Sequence, residues 1–193
     1  ACFREWISDL AGVVAGVVAI DGKTACGSRD GRNTALHTVS AYATASGLCL
    51  GQEHTRGKGH EIAAIKALLD TLALKGCIVT IDAIGCQTEI ARKILDRGGD
   101  YLLAVKDNQK DLADALREFF ADGEPRGFGS LPVSRFQSLE KAHGRIETRQ
   151  AMWVTNLSWL DKKLREHWPK LAGLGMIERQ REINGAVSTE RAY

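Results

Sequence analysis

The sequence predicts an α/β protein in which a mixed β-sheet carries helices on its faces. Three features support this fold class: two short apolar runs typical of strands in the middle of a sheet, a hairpin pattern between them, and helical periodicity after the hairpin and after the second run. The chain has 193 residues, of which 44% are hydrophobic and 26% are charged, so it can bury a sizeable core. We expect a single domain over residues 1–193.

Two apolar runs predict central strands, and each run stops at an aspartate. The first covers residues 13–20, which are β-branched or small, and ends at Asp21. The second covers residues 77–81 and ends at Asp82. Runs of this kind are typical of strands that are buried on both faces. The sequence therefore predicts two central strands that each carry a carboxylate at the end.

A hairpin and a helix are predicted between these two strands. Residues 36–44 and 48–53 have strand patterns and are joined by the short turn sequence Ala-Ser-Gly. Apolar residues then recur at helical spacing over residues 61–74. This spacing predicts a helix that covers one face of the sheet.

Helix and strand patterns alternate after Asp82. Helical spacing over residues 87–97 ends at two glycines, which is a common helix stop. A third buried strand is predicted over residues 101–105, and its apolar pattern gives way to another helical pattern that continues to residue 119.

The C-terminal part of the sequence predicts a loop followed by further strands. Residues 121–140 contain several glycines and two prolines, which predicts an exposed loop or insertion. Residues 143–155 alternate in the manner of a strand. Residues 174–193 alternate too, and they contain Asn184 and Gly185, a strong signal for a hairpin turn. We therefore expect β-hairpin elements at the C-terminal end.

This order of elements can bring the two aspartates together. A hairpin followed by βαβα units can set the first and fourth strands side by side, about 4.8 Å apart. Asp21 and Asp82 would then repel each other unless a cation lies between them. Carboxylate oxygens favour Mg²⁺ or Mn²⁺, and a pair of such ions can promote phosphoryl transfer. Spacing alone also allows a second interpretation, in which each aspartate only starts a turn or caps a helix.

Composition and missing motifs argue against several other classes. The net charge of +2 does not by itself identify a nucleic-acid-binding protein. The five cysteines include no C-x-x-C pair, so we expect neither a disulfide framework nor a zinc ribbon, but a protein of the reducing cytoplasm. No P-loop and no G-x-S-x-G motif occurs. No apolar run approaches the roughly 18 residues of a membrane span, so no membrane partner is expected.

Several segments, in order along nearly the whole chain, carry a family resemblance. They read AIDGKT at 19–24, LHTVSA at 36–41, GCIVTIDAIGCQ at 76–87, GDYLLAVK at 99–106, NQ at 108–109, HGRIETR at 143–149 and ING at 183–185. Together they resemble the DDE transposases of bacterial insertion sequences, and more narrowly the branch that includes the H-repeat-associated proteins. The resemblance implies a ribonuclease-H-like fold in which Asp21 and Asp82 match the first two acidic metal ligands.

The resemblance also implies a cofactor and a substrate. The cofactor would be Mg²⁺ or Mn²⁺, and the reaction would be metal-dependent cleavage and joining of double-stranded DNA at transposon ends and target. A homo-oligomer is a further partner that this resemblance leaves open.

The third acid of the family is not found in its usual context. In the proteins that the chain resembles, this glutamate lies on a helix in a Trp-x-Ile-Glu motif, and no such motif precedes Tyr193. Glu147 is a candidate substitute, but its alternating surroundings favour an exposed ladder with Arg145 and Arg149. The favoured interpretation is that the third ligand lies beyond Tyr193, so this stretch is an incomplete core with weak or no activity. The alternative is a non-catalytic remnant that binds DNA or pairs with another subunit.

Four basic side chains are candidate contacts to DNA. Lys23 follows Asp21 closely, Lys106 follows the third predicted strand, and Arg145 and Arg149 lie in a basic segment. Residues 162–170 form a second basic cluster flanked by tryptophans, although an amphipathic helix with solvated lysines explains that cluster better. For Lys23 and Lys106 the alternative is an ordinary solvated lysine.

Overall fold

A computed structural model of the chain describes residues 16–25, 36–55, 58–142 and 145–193. The chain divides into two compact units, the first ending at Ala104 and the second beginning at Val105. The expected single domain over residues 1–193 stays a prediction.

The first unit contains a five-stranded mixed sheet. Its strands are β1 (Gly16–Thr24), β2 (His37–Ala43), β3 (Leu48–Thr55), β4 (Cys77–Ile81) and β5 (Asp100–Leu103). They lie in the order β3-β2-β1-β4-β5; β2 pairs antiparallel with both β3 and β1, and β4 pairs parallel with both β1 and β5. The predicted mixed sheet is confirmed, as is the side-by-side position of the first and fourth strands.

The two α-helices that the structure describes in this unit pack against one face of the sheet. They are α1 (Glu61–Thr71) and α2 (Thr88–Asp96). Their buried side chains share one core with the strand residues on that face, here called the inner face; the core includes Val18, Ile20, Val39, Val79, Ile81, Leu68, Leu69, Ile90 and Ile94. On the opposite face, here called the outer face, Tyr42, Ile78 and Leu102 are about half exposed. Side chains alternate between the two faces along each strand, so every second residue of β1 and β4 points away from this core.

The second unit contains a four-stranded antiparallel sheet and two helices. Its elements are α3 (Lys110–Gly123), β6 (Val133–Ala142), β7 (Arg145–Val154), α4 (Lys162–His167), β8 (Leu174–Ile183) and β9 (Ala186–Ala192). The strand order is β6-β7-β8-β9. Asn184 and Gly185, with φ of 51° and 80°, form the predicted turn between β8 and β9. The predicted C-terminal hairpin is confirmed.

Aromatic and aliphatic side chains form the core of the second unit. Phe120 is fully buried and meets Phe119 and Phe128 edge to face. Phe119 also stacks on Trp159, with ring centroids 3.8 Å apart. The buried apolar side chains on the strands of this unit are Met152, Val154, Leu174 and Met176.

Residues 121–140 are more regular than the sequence predicts. Helix α3 continues to Gly123, turns occupy residues 124–130, and β6 begins at Val133. Positive φ values at Gly127 and Gly129, 61° and 59°, confine the chain reversal to this short stretch. Most side chains of β6 are exposed on both faces, so the strand lacks the apolar alternation that would identify it.

A glycine just after Asp82 offers a test of this packing. A Cβ atom at Gly85 would lie 2.2 Å from Cγ2 of the buried Ile81. We expect Gly85→Ala to lower the free energy of unfolding by about 1–3 kcal/mol, because overpacking forces the core apart. The measurement is thermal or urea unfolding followed by circular dichroism. Gly59→Ala is the matched control, since a Cβ there meets no atom within 4 Å; equal stability of the two variants would contradict the packing.

Candidate functional site

Asp21 lies on β1, and Asp82 directly follows the adjacent strand β4. The parallel pairing of the two strands ends at Ile20 and Ile81, which are paired with each other and directly precede the aspartates. Both isoleucines are buried on the inner face, so the residue that follows each of them points to the outer face. Both aspartates are exposed. The two predicted carboxylates therefore lie on one face of the sheet, each directly after the last paired residue of two adjacent parallel strands.

Lys23 lies beside this pair of carboxylates. Its Nζ lies 2.6 Å from Oδ2 of Asp21, and both side chains are more than half exposed. Hydrogen bonding to Asp21 and the charge of Asp21 raise the pKa of Lys23, and the charge of Asp82 adds to this effect. Lys23 therefore lies in the electrostatic field of both carboxylates. Its predicted contact with DNA stays a prediction.

The position of Asp21 within its strand differs from the prediction. The sequence predicts that the strand ends at Asp21, whereas β1 continues to Thr24. The extra residues pair with β2, where Asp21 is opposite Ser40 and Thr24 is opposite His37. Strand β4 does end at Ile81, and a 3₁₀ turn over Ala83–Gly85 follows Asp82. Asp21 is thus held on a paired backbone, while Asp82 lies where the chain leaves the sheet.

A buried imidazole and carboxylate lie behind the strand that carries Asp21. His37 is only 2% exposed, and its Nδ1 lies 2.8 Å from Oγ1 of Thr24. Its Nε2 lies 2.5 Å from Oε1 of Glu61, the first residue of α1. A Cβ at Gly22 would lie 2.9 Å from Nε2 of His37. The three elements β1, β2 and α1 therefore meet at this pair, next to Asp21.

The sequence patterns do not predict this buried pair. One signal was present: His37 occupies the same face of its strand as Val39 and Ala41, which are buried. A histidine among inward-facing positions indicates a buried polar group that needs a partner. The partner, Glu61, lies 24 residues further along the chain, and no local pattern connects the two.

Glu147 has surroundings that differ from those of the aspartate pair. It is 3% exposed, one of its oxygens lies 2.9 Å from Nε of Arg181, and Arg149 contacts the other. The hydrogen bond from Arg181 is the main cause that lowers the pKa of Glu147. The sequence predicts an exposed ladder here, but the pairing with β8 buries the carboxylate beneath two guanidinium groups. This environment favours a structural role for Glu147 over metal binding.

The remaining predicted DNA contacts belong to the second unit. Lys106 is exposed and directly precedes a 3₁₀ turn over Asp107–Gln109. Arg145 is exposed at the start of β7. Arg149 is engaged with Glu140, at 3.0 Å between Nη1 and Oε1, in addition to Glu147. These three assignments stay predictions.

Within residues 16–25, 36–55, 58–142 and 145–193, no three side chains of His, Cys, Asp or Glu are grouped so that they could hold a metal ion. No helix in these ranges is long and apolar enough to cross a membrane. The cysteines described, Cys49, Cys77 and Cys86, are thiols, and burial raises the pKa of Cys86 to about 12.

Comparison with known proteins identifies the family. A family described as "Transposase DDE domain" matches residues 14–170. The chain belongs to the DDE transposase family. Its relatives include proteins named for the H repeat, so the chain belongs to that branch, as its sequence motifs indicated.

Three curated relatives show the extent of the similarity. "Uncharacterized protein in dhlA 3'region" of Xanthobacter autotrophicus is 41% identical over 99% of this chain and 64% of its own length. "Putative transposase YncI" of Escherichia coli (strain K12) is 45% identical over 76% of this chain and 59% of its own length. "H repeat-associated putative transposase YbfD" of the same strain is 45% identical over 69% of this chain and 52% of its own length. The chain thus spans less than two thirds of these relatives.

One solved structure shows a weak likeness. A chain in the cryoEM structure of a simian T-cell lymphotropic virus intasome in complex with PP2A regulatory subunit B56 gamma covers 61% of this chain and 44% of its own length, at 12% identity and a TM-score of 0.35. A likeness at this level supports no conclusion about fold or function.

Removal of Glu61 tests the buried pair. We expect Glu61→Ala to lower the free energy of unfolding by about 1–3 kcal/mol, because it leaves the buried imidazole of His37 without its carboxylate. Urea unfolding of the two proteins measures this difference. Glu118→Ala, which removes an exposed glutamate from α3, is the control. A loss in Glu61→Ala no larger than in Glu118→Ala would show that the pair does not stabilise the fold.

The pH dependence of unfolding tests the contacts of Glu147. Since Arg181 and Arg149 lower the pKa of Glu147 in the folded protein, the carboxylate contributes stability above the ordinary glutamate pKa of about 4.3. This contribution decreases as the pH falls through the lowered pKa. We expect Glu147→Gln to have a lower melting temperature than the wild type at pH 7, with a gap that narrows as the pH falls below 4 or so. A gap that widens on acidification would contradict the assignment.

Proposed function

We propose that the chain is the catalytic core of a DNA transposase that cleaves and joins strands at transposon ends by metal-dependent phosphoryl transfer. One observation supports this above all: Asp21 and Asp82 directly follow the last paired residues of two adjacent parallel strands, and both are exposed. Membership of the DDE transposase family supports the same reaction class. On this proposal the protein acts on double-stranded DNA in the cytoplasm.

The sheet of the first unit supports a ribonuclease-H-like fold. An antiparallel hairpin sheet of β1, β2 and β3 continues into the parallel strands β4 and β5. This order makes β1 and β4 central neighbours, and the two carboxylates come from those strands. We propose the ribonuclease-H-like assignment on this topology together with the family motifs.

The carboxylate pair fits a divalent cation. Exposed carboxylate oxygens are hard ligands of the kind that Mg²⁺ and Mn²⁺ prefer, and these ions keep several water ligands besides. When bound, such ions activate a water or a DNA 3′-hydroxyl and stabilise the leaving oxygen. Asp21 and Asp82 would hold the ion, and the surrounding face stays accessible to a phosphodiester.

Lys23 has a second role in this arrangement. Its ammonium group pairs with Asp21 at 2.6 Å. A divalent cation at Asp21 would compete with this ion pair and displace the ammonium group, because both bind the same oxygens. Lys23 would then be available to contact a DNA phosphate, two residues from the carboxylate that holds the ion.

The described residues present two acidic ligands, and we propose that the third lies in the part of a longer protein beyond Tyr193. Two carboxylates hold a pair of metal ions poorly, so the 193-residue chain alone would have weak or no nuclease activity. Lys106, Arg145 and Arg149 of the second unit are proposed as contacts to DNA phosphates, and Glu147 as the residue that orients Arg149. We also propose a second copy of the chain as a partner.

The number of acidic side chains at the described site favours a second candidate function. With no third acid grouped near the pair among the described residues, the chain could also serve as a non-catalytic remnant that binds DNA or pairs with another subunit. Binding of DNA that is sensitive to salt and unaffected by removal of both aspartates would favour this second function.

Metal binding by the aspartate pair is the direct test. We expect the wild type to bind Mn²⁺ and Asp82→Asn to bind it at least about ten-fold more weakly, because one carboxylate is lost. Electron paramagnetic resonance of the free ion measures this binding. Asp122→Asn, which changes an exposed aspartate of α3, is the control. Equal Mn²⁺ affinity of the wild type and Asp82→Asn would refute the metal site. Robust nicking of plasmid DNA that Asp82→Ala abolishes would support the site and refute the incomplete core.

A further inference from the structure

Two rows of polar side chains continue from the carboxylate pair across the outer face. Each row crosses β1, β2 and β3 at residues that are directly opposite one another in the sheet. The first row consists of Asp21, Ser40 and Gln52, and the second consists of Lys23, Thr38 and His54. Asp82, which directly follows β4, lies on the other side of β1 from these rows. The rows therefore form one polar surface that runs from the carboxylates to the edge strand β3.

Hydrogen bonds between β2 and β3 order the side chains of these rows. Nε2 of Gln52 donates to Oγ of Ser40 at 3.1 Å. The hydroxyl hydrogen of Ser40 thus stays available to another acceptor, beside Asp21. Oγ1 of Thr38 and Nδ1 of His54 are 3.1 Å apart. This contact occupies Nδ1 of the imidazole, which leaves Nε2 as the nitrogen that can meet a ligand.

The charge on the outer face differs on the two sides of the carboxylate pair. On β2 and β3, the outer positions Thr38, Ser40, Gln52 and His54 carry hydroxyl, amide and imidazole groups; the carboxylate of Glu53 belongs to the inner face, opposite Val39. On β4 and β5, the outer positions include Ile78 and the carboxylate of Asp100, which are opposite each other. The outer positions of β2 and β3 therefore offer several hydrogen-bond donors and no carboxylate, whereas on β4 and β5 the single hydroxyl of Thr80 shares its face with Ile78, Leu102 and the carboxylate of Asp100.

We propose that Ser40, Gln52, Thr38 and His54 form a binding track for the backbone phosphates of the DNA strand that is cleaved at Asp21 and Asp82. The strand crosses β2 and β3 on its way to the carboxylates. From β1 to β3 the track is about 10 Å long, which corresponds to about two or three phosphate charges of one DNA strand. This inference rests on the proposed function, since it assigns the contacts of the substrate at that same site.

The track predicts a contact that depends on phosphate charge. The test uses the 193-residue chain in calcium buffer and two fluorescent 20-base-pair duplexes, one with ordinary phosphodiesters and one with neutral methylphosphonates in one strand. We expect His54→Ala and Gln52→Ala each to weaken binding of the ordinary duplex by about three- to ten-fold, since each removes a hydrogen bond to a charged group. Binding of the neutral duplex is expected to change less than two-fold or so.

A matched control and a second measurement separate this proposal from the proposed function. His60→Ala removes an exposed imidazole that directly precedes α1, outside the track, and should bind both duplexes like the wild type. All three variants should keep the Mn²⁺ affinity of the wild type. Loss of Mn²⁺ binding in Asp82→Asn alone supports the metal site, whatever the track variants show.

Two results would overturn the track. If His54→Ala and Gln52→Ala bind the ordinary duplex as tightly as the wild type, the polar rows do not contact DNA, and the metal site stands. If they lose affinity equally for the ordinary and the neutral duplex, the contacts are not made to phosphate charge. Circular dichroism of each variant confirms that the sheet is intact before binding is measured.

Discussion

The pairing of β1 with β4 is the constraint on which the site depends. The ladder between them ends at Ile20 and Ile81, which are opposite each other and buried in the same core. With both isoleucines fixed on the inner face, the alternation of the strands directs the next residue of each to the outer face. Two carboxylates therefore become neighbours although like charges repel. Packing of the core holds them where their own electrostatics would separate them.

The strand that carries Asp21 is constrained on both faces. On the inner face, Gly22 lies directly against the imidazole of His37, where a larger residue would collide with the contact between His37 and Glu61. On the outer face, Asp21 and Lys23 pair with each other. Because Thr24 pairs with His37 on β2, strand β1 extends beyond the end of its parallel neighbour β4. The backbone of Asp21 is thus fixed while its side chain stays accessible.

Local patterns predicted the elements whose apolar residues repeat with a regular period. The central strands, the hairpin and the helices that became α1 and α2 are of this kind, and the Asn184 and Gly185 turn has its own local signal. The extension of β1 past Asp21 was missed because its residues are polar and its support comes from β2. Strand β6 was missed because both of its faces are exposed. The burial of Glu147 depends on Arg181, 34 residues further on, which no local pattern can reveal.

The contrast between Glu147 and Asp21 shows what decides whether an acidic side chain can take up a cation. Each has a basic partner close by. Glu147, however, is almost fully buried and held by two guanidinium groups, so an ion could reach it only by displacing both Arg149 and Arg181. Asp21 is half exposed and held by a single flexible lysine, whose displacement into water costs little. Exposure and the number of partners, more than the identity of the acid, therefore favour the aspartate pair as the metal site.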